Sequence, residues 1–436
     1  MPVRKWFVFL LSLCLLLSAC GPGPSKISTL EVTRVVRDTQ VVTAEVTRLV
    51  RETQLASVEV TRVVRQTVVV TSTPSPELAV DITNGAALLV PRARHTATRL
   101  ADGRILIAGG SQFPNAQLAK TEIFDPLNGQ LTQAAALHSA RHDHSATLLP
   151  DGRVLVVGGY NRPQQLDDAE VYDPAADTWT VVSPLFSHGV NHTATLLKDG
   201  RVLVVGGCTG SGVCTERVEI FSPETSTWTE AMPLPGDRAS HTAQLLDDGR
   251  VLIAGGGSST GEPAGGDALL YDPQANTWAA AGAMVKPRHF SQSVRLLNGT
   301  VLVAGGVIIS SDAAPQATPS VEIYDPASNT WAAAAPLSQP RYAFVLALLP
   351  QGQVLAVGGV DVYENPWTAA SLVQKIESYD LQVNRWRVVD KFPQPATYTA
   401  AAFLPDDRLW VTGGQAGSSD AASSPDTWLI ASMLIP

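Results

Sequence analysis

From residue 92 onward the chain repeats short apolar runs separated by turn residues. Residues 144–179 show the plan: the half-apolar run His144-Ser-Ala-Thr-Leu-Leu149, a turn at Asp151-Gly152, the continuous apolar run Arg153-Val-Leu-Val-Val157, then Gly158-Gly159. A variable stretch follows, then Ala169-Glu-Val-Tyr172, Asp173-Pro174 and Asp177-Thr-Trp179. Runs of this length between turn signals predict four short strands. The Asp-Gly hairpin signal recurs at Asp102, Asp151, Asp199 and Asp248, with Asn298-Gly299 in a fifth unit. Asp-Pro recurs at Asp125, Asp173, Asp272 and Asp325 and turns the third strand into the fourth. A Gly-Gly pair ends the second strand at Gly109, Gly158, Gly206, Gly255, Gly305, Gly358 and Gly413, at intervals of 49, 48, 49, 50, 53 and 55 residues. Seven copies of a four-stranded unit predict an all-β, seven-bladed β-propeller over residues 77–436.

The repeated residues resemble the kelch family: Gly-Gly closing strand two, Tyr near the end of strand three, and Trp in strand four at Trp179, Trp228, Trp278, Trp331 and Trp386. The resemblance runs over roughly residues 80–432. It implies a kelch-type propeller of the superfamily that includes the galactose oxidase central domain, with Tyr and Trp packing between blades. Unit 1 departs from the pattern with Leu131 where Trp is expected, and units 1 and 3 have Phe124 and Phe221 in place of Tyr. Each Trp stands 13 residues before a first-strand position of the next unit: His192, His241, Ser291, Phe344 or Thr399. Counting back equally from His95 reaches Ile82, while the seventh unit ends without room for a fourth strand. Residues 79–88 are therefore expected to complete the last blade and remove an exposed edge.

The first 76 residues follow other rules. Glu-Val-Thr-Arg recurs at Glu31, Glu45 and Glu59, an interval of 14. Val32, Thr39, Val46, Thr53, Val60 and Thr67 at a, with Val35, Val42, Leu49, Ala56, Val63 and Val70 at d, read as heptads of a coiled coil. The abundance of β-branched residues argues instead for an extended spacer, and the two readings stand level. Residues 20–76 are thus a stalk, through which copies could self-associate, ending at the helix-breaking Thr71-Ser-Thr-Pro-Ser-Pro76. Before it, Arg4-Lys5, an apolar run from Trp6 to Leu17 and Ser18-Ala19-Cys20 have the order of a secretory signal over residues 1–19. Leu17-Ser-Ala-Cys20 followed by Gly21 resembles a bacterial lipobox, which implies lipidation of Cys20 and a membrane anchor in the cell envelope, on the outer side of the cytoplasmic membrane or on an outer membrane. Outside the cytosol, the remaining Cys208 and Cys214 are expected to form a local disulfide.

Charge narrows the partners. Residues 77–436 hold 22 basic and 35 acidic groups, which excludes nucleic acid as a leading partner. The loops after strands two and four share one face and vary most, so binding is expected there. On the same face Arg92, Arg141, Arg238, Arg288 and Arg341 stand three residues before the first-strand position. They read either as a rim that binds carboxylates or acidic glycans, or as braces within each blade. His95, His144, His192 and His241 repeat in the same way and read as structural hydrogen-bonding groups, not metal ligands. No catalytic residue, metal or cofactor is assigned. The leading reading is a noncatalytic binding or scaffold module for a protein or glycan. The resemblance leaves a carbohydrate-active enzyme as rival, similar to galactose oxidase or the sialic-acid epimerases. A copper-radical site of the first kind needs two Tyr, two His and a Tyr–Cys cross-link, and Tyr160, Tyr342, Tyr363 and Tyr398 are the only tyrosines outside the repeated position.

Overall fold

The computed structural model describes residues 30–38, 41–52, 60–70, 77–112, 116–182, 189–209, 212–258, 267–310, 313–363, 371–416 and 423–435. Two units are distinguished, residues 1–77 with 434–436, and residues 78–433. The signal and lipidation readings, with Cys20, lie outside the described residues.

In the first unit, Leu30–Asp38, Val41–Glu52 and Val60–Val70 form a three-stranded antiparallel sheet in that order. The segment that heptad spacing allowed as a coiled coil is therefore strand in its described residues. Val and Thr resist helix and favour a pleated backbone. A 14-residue repeat also contains a whole number of two-residue strand periods, so the spacing alone could not separate the alternatives.

The second unit is the propeller. Six sheets each take four strands in chain order, as in Ser145–Leu148, Val154–Val157, Ala169–Asp173 and Thr178–Val182 of blade 2. The seventh runs Ala400–Phe403, Leu409–Thr412, Thr427–Ile435 and then Glu77–Asn84, so the start of the body supplies the last strand of the ring.

Blade stacking explains the apolar second strands. Each is buried along its whole length because it has a neighbouring blade on both faces. In blade 1, Leu106 and Ala108 pack toward blade 2 against Val154, Val156, Tyr172 and Trp179. Ile105 and Ile107 pack the other way, toward Trp410 and Leu404 of blade 7. The blade-1 departures have a compensation here. Fully buried Trp410, from the second strand of blade 7, stacks on Phe124 at 4.3 Å between centroids, filling volume that a Trp at position 131 would have supplied. Elsewhere the repeated Tyr and Trp tilt against each other, as in Tyr172–Trp179 at 5.0 Å, and Trp179 Nε1 donates to Ala135 O of the preceding blade.

The Gly-Gly pairs stitch the ring. All fourteen glycines have positive φ, and the second N–H of each pair donates to a carbonyl in the linker entering the next blade. Gly159 donates to Gly189 O at 2.8 Å, and Gly414 closes the circle on Arg92 O at 2.8 Å. At Gly158 an added Cβ would fall within 3.0 Å of Gly189 O, closer than real Cβ atoms approach, so both conformation and space demand glycine.

Candidate functional site

The five arginines are inside the protein. Arg92, Arg141, Arg288 and Arg341 are 0% exposed and Arg238 is 7% exposed. Arg141 shows their work: it donates to Gly158 O at 2.7 Å and to Glu170 Oε1 at 2.7 Å. Glu170 in turn accepts the backbone N–H groups of His138 and Ser139. Arg92–Glu122, Arg288–Glu322 and Arg341–Glu377 repeat this pairing. Blade 4 has Leu269 at the glutamate position, and Arg238 donates to Gly255 O and Asp267 O instead. Burial lowers the pKa of Arg92, Arg238, Arg288 and Arg341, opposed by the neighbouring carboxylates. The ligand-facing rim of arginines is thus corrected to a set of internal braces that tie each incoming linker to its blade.

The histidines join neighbouring blades. Nε2 of His95, His144, His192 and His241 meets Thr412, Thr96, Ser145 and Thr193 of the preceding blade, at 2.7, 3.1, 2.9 and 2.8 Å. Burial pushes His144 and His241 down to about 3, and His95 well below its usual value, so these three are neutral near pH 7. Among the described residues no group of three or more His, Cys, Asp or Glu is placed to hold a metal.

Chemistry that differs from blade to blade lies one residue away. The residue just before each first-strand position is left-handed in all seven blades: Arg94, Asp143, Asn191, Ser240, Phe290, Ala343 and Tyr398, with φ between 50° and 61°. Non-glycine residues rarely hold this conformation, and the surrounding bonds enforce it. Asp143 N donates to Arg94 O, Arg94 N to Tyr398 O and Tyr398 N to Ala343 O, while Phe290 N donates to Ser240 O and Ser240 N to Asn191 O. A common backbone device therefore carries seven unlike side chains around the axis.

Six of these seven line a recess of about 940 Å³ on the loop face, all but Ser240. Joining them are His142, Tyr160, Arg162, Gln292, Tyr342 and Tyr363, with Cys208, Thr209 and Gly212 at one edge. Below, a cavity of about 390 Å³ shares Arg94, Asp143 and Tyr398 and reaches His95, His144 and Phe344. Arg94 Nη1 donates to Asp143 Oδ2 at 2.9 Å, and its guanidinium lies over the Tyr398 ring, 4.1 Å from the centroid. His142 Nδ1 shares that Oδ2 at 2.9 Å. Burial alone would raise the Asp143 carboxyl, but Arg94 and His142 hold it below its usual range. On the aromatic side Tyr342 packs between Phe290 at 6.4 Å and Tyr363 at 5.7 Å, and burial raises its phenol.

The four tyrosines outside the repeat, Tyr160, Tyr342, Tyr363 and Tyr398, thus converge. Arg94, His142 and Asp143 went unnoticed in sequence because they neighbour repeated positions without repeating themselves. Cys208 and Cys214 are disulfide-bonded, and Cys208 pairs with Val190 beside Asn191. This donor set does not fit a copper-radical centre. Both cysteines are spent on each other, and His142, the one imidazole among the described residues lining the recess, has Nδ1 on Asp143.

The Kelch motif matches residues 141–185 and 191–235, which hold blades 2 and 3. The chain carries kelch repeats. Similar curated proteins are Kelch-like protein 25 of Xenopus tropicalis, 36% identical over 96 residues, and the F-box/kelch-repeat protein OR23 of Arabidopsis thaliana, 26% identical over 116. These matches span 22% and 24% of this chain, but only 15% and 26% of those proteins. Among solved structures, the kelch propeller is similar to a fungal alcohol oxidase of the AA5 family in complex with copper. That likeness has a TM-score of 0.63 at 18% identity and covers 82% of this chain and 76% of the oxidase. YjhT is similar with a TM-score of 0.54 at 16% identity, over 70% of this chain and 99% of that one. At these identities the likeness concerns the fold.

Proposed function

We propose that the chain is a noncatalytic binding and scaffold module of a bacterial cell envelope, which engages a protein or glycan over the axial recess. The observation that carries this reading is the ring of left-handed linker residues. The buried Arg, Glu and His positions repeat scaffold chemistry from blade to blade, while at the mouth of the axis the same backbone displays Arg, Asp, Asn, Phe and Tyr. Kelch propellers generally bind protein partners, which agrees with a loop face used for recognition. Residues 1–20 support secretion and lipidation at Cys20, and the repeats of residues 31–62 support a stalk that holds the propeller off the membrane and brings copies together.

The test is a thermal-shift screen of the full chain against glycans, metals including copper, and envelope extracts. A ligand at 100 times its Kd adds about 2.7 kcal/mol of stability. The expected result is stabilisation by a glycan or an extract component that Tyr363→Ala abolishes. Stabilisation by copper alone would replace this reading with the oxidase one.

A further inference from the structure

Resting on that reading, we infer that the recess takes an uncharged saccharide, with the ring of one sugar against the tyrosine wall and adjacent hydroxyls on Arg94 and Asp143. Size comes first. A concavity of about 940 Å³ has the scale of a small-molecule site, whereas a stable protein interface needs about 800 Å² on each partner. The recess alone suits one or a few sugar rings.

The walls come second. Phe290, Tyr342 and Tyr363 pack on one another along one side, and Tyr398 is held under Arg94. Buried Tyr342 fixes the partly exposed Phe290 and Tyr363, whose ring faces suit the C–H face of a pyranose, with the Tyr363 phenol at its edge. Asp143, His142 and Asn191 also line the recess and supply polar edges.

At the Arg94–Asp143 pair, charge decides against an anion. Arg94 is paired with Asp143, so this cluster offers donors and an acceptor side by side with its charges balanced. Both internal bonds to Asp143 fall on Oδ2, which leaves Oδ1 as an acceptor, while Nη2 of Arg94 carries no bond among the described residues. One hydroxyl of a vicinal pair can donate to Oδ1 while its neighbour accepts from Arg94, a match that a carboxylate or phosphate, having only acceptors, would meet with repulsion at Asp143. The backbone bonds joining Ala343, Tyr398, Arg94 and Asp143 hold these groups before any ligand arrives.

The experiment is ligand-observed NMR on the full chain with galactose, mannose, N-acetylglucosamine and glucuronate, beside a pull-down of proteins from envelope extract. At least one neutral sugar should bind, with affinity falling about tenfold or more in Tyr363→Ala and in Asp143→Asn. Tyr363→Phe should keep the stacking and most of the affinity, and Arg250→Ala, on the opposite face, should change nothing. Melting temperature checks each variant, and partly exposed Tyr363 keeps the test valid if Asp143→Asn unfolds. Binding of glucuronate alone, or sugar binding indifferent to both recess variants, overturns the inference. Failure of every sugar with protein capture that Tyr363→Ala abolishes overturns the saccharide but leaves the binding module standing; failure of both arms overturns both.

Discussion

Removing the guanidinium of Arg141 tests whether the repeated arginines are braces. In Arg141→Met, Glu170 keeps the N–H groups of His138 and Ser139 and the His138 imidazole but loses the guanidinium, while the carbonyls of Gly158 and Asp168 and the Asp168 carboxylate lose a donor. Both side chains of the pair are 0% exposed, so the carboxylate cannot recover by hydration. Breaking such a pair costs about 3–5 kcal/mol, against about 0–1 kcal/mol for a surface ion pair. The double change Arg141→Met with Glu170→Gln leaves no buried charge and should regain about 1 kcal/mol or more. Urea unfolding of the full chain, followed by tryptophan fluorescence, gives the comparison. Arg141 and the backbone donors hold Glu170 below its usual pKa despite burial, so its contribution is full above the unfolded value of 4.5 and lost as pH falls through the lower folded value. The cost of Arg141→Met is therefore largest near neutrality and shrinks in acid. It should also be little changed by salt, because a buried pair is poorly screened. A cost under about 1 kcal/mol would refute the brace.

Three other outcomes are expected. His144 titrates at about 3 when folded against 6.5 unfolded, so the unfolded state binds more protons between those values; the urea midpoint should fall as pH falls there, and His144→Gln should make that limb shallower, with His95 and His241 supplying the rest. Reducing Cys208–Cys214 should lower stability by about 2 kcal/mol and speed hydrogen exchange at the Val190 amide, which Cys208 O holds; unchanged exchange would refute coupling between that hairpin and the recess wall. A chain starting at Glu77 should stay folded, whereas removing residues 77–90 as well should lower its melting temperature sharply, and equal melting would contradict the pairing of Glu77–Asn84 with Thr427–Ile435.

Legibility tracked repetition. The strand plan, the blade number and the interblade aromatics could be read because each recurs. The arginines recurred too, but their periodicity placed them near one rim without revealing whether they point out or in. Their glutamate partners lie about 30 residues downstream, as Glu122 does from Arg92 and Glu170 from Arg141, within a strand that reads as ordinary β sequence. The stalk shows the opposite difficulty, since one repeat length satisfies both heptad and strand periods. The recess was half visible: its four tyrosines stood out as exceptions to the repeat, whereas Arg94, His142 and Asp143 had no pattern to mark them. A left-handed position can sometimes be guessed from Asn or Asp, but only Asp143 and Asn191 of the seven are of that type.

The sequence by itself determined the ring: seven units, their turns, their apolar second strands and the glycine pairs that let neighbouring backbones touch. These follow from local chain chemistry copied seven times. Only the tertiary structure decided which residues line the recess, because Arg141, Asp143 and His144 are near neighbours in the chain yet end as an internal brace, a recess wall and an interblade bridge. The left-handed turn at the middle residue sends adjacent side chains in different directions, and closure of the ring then gathers one such residue from every blade around a single axis.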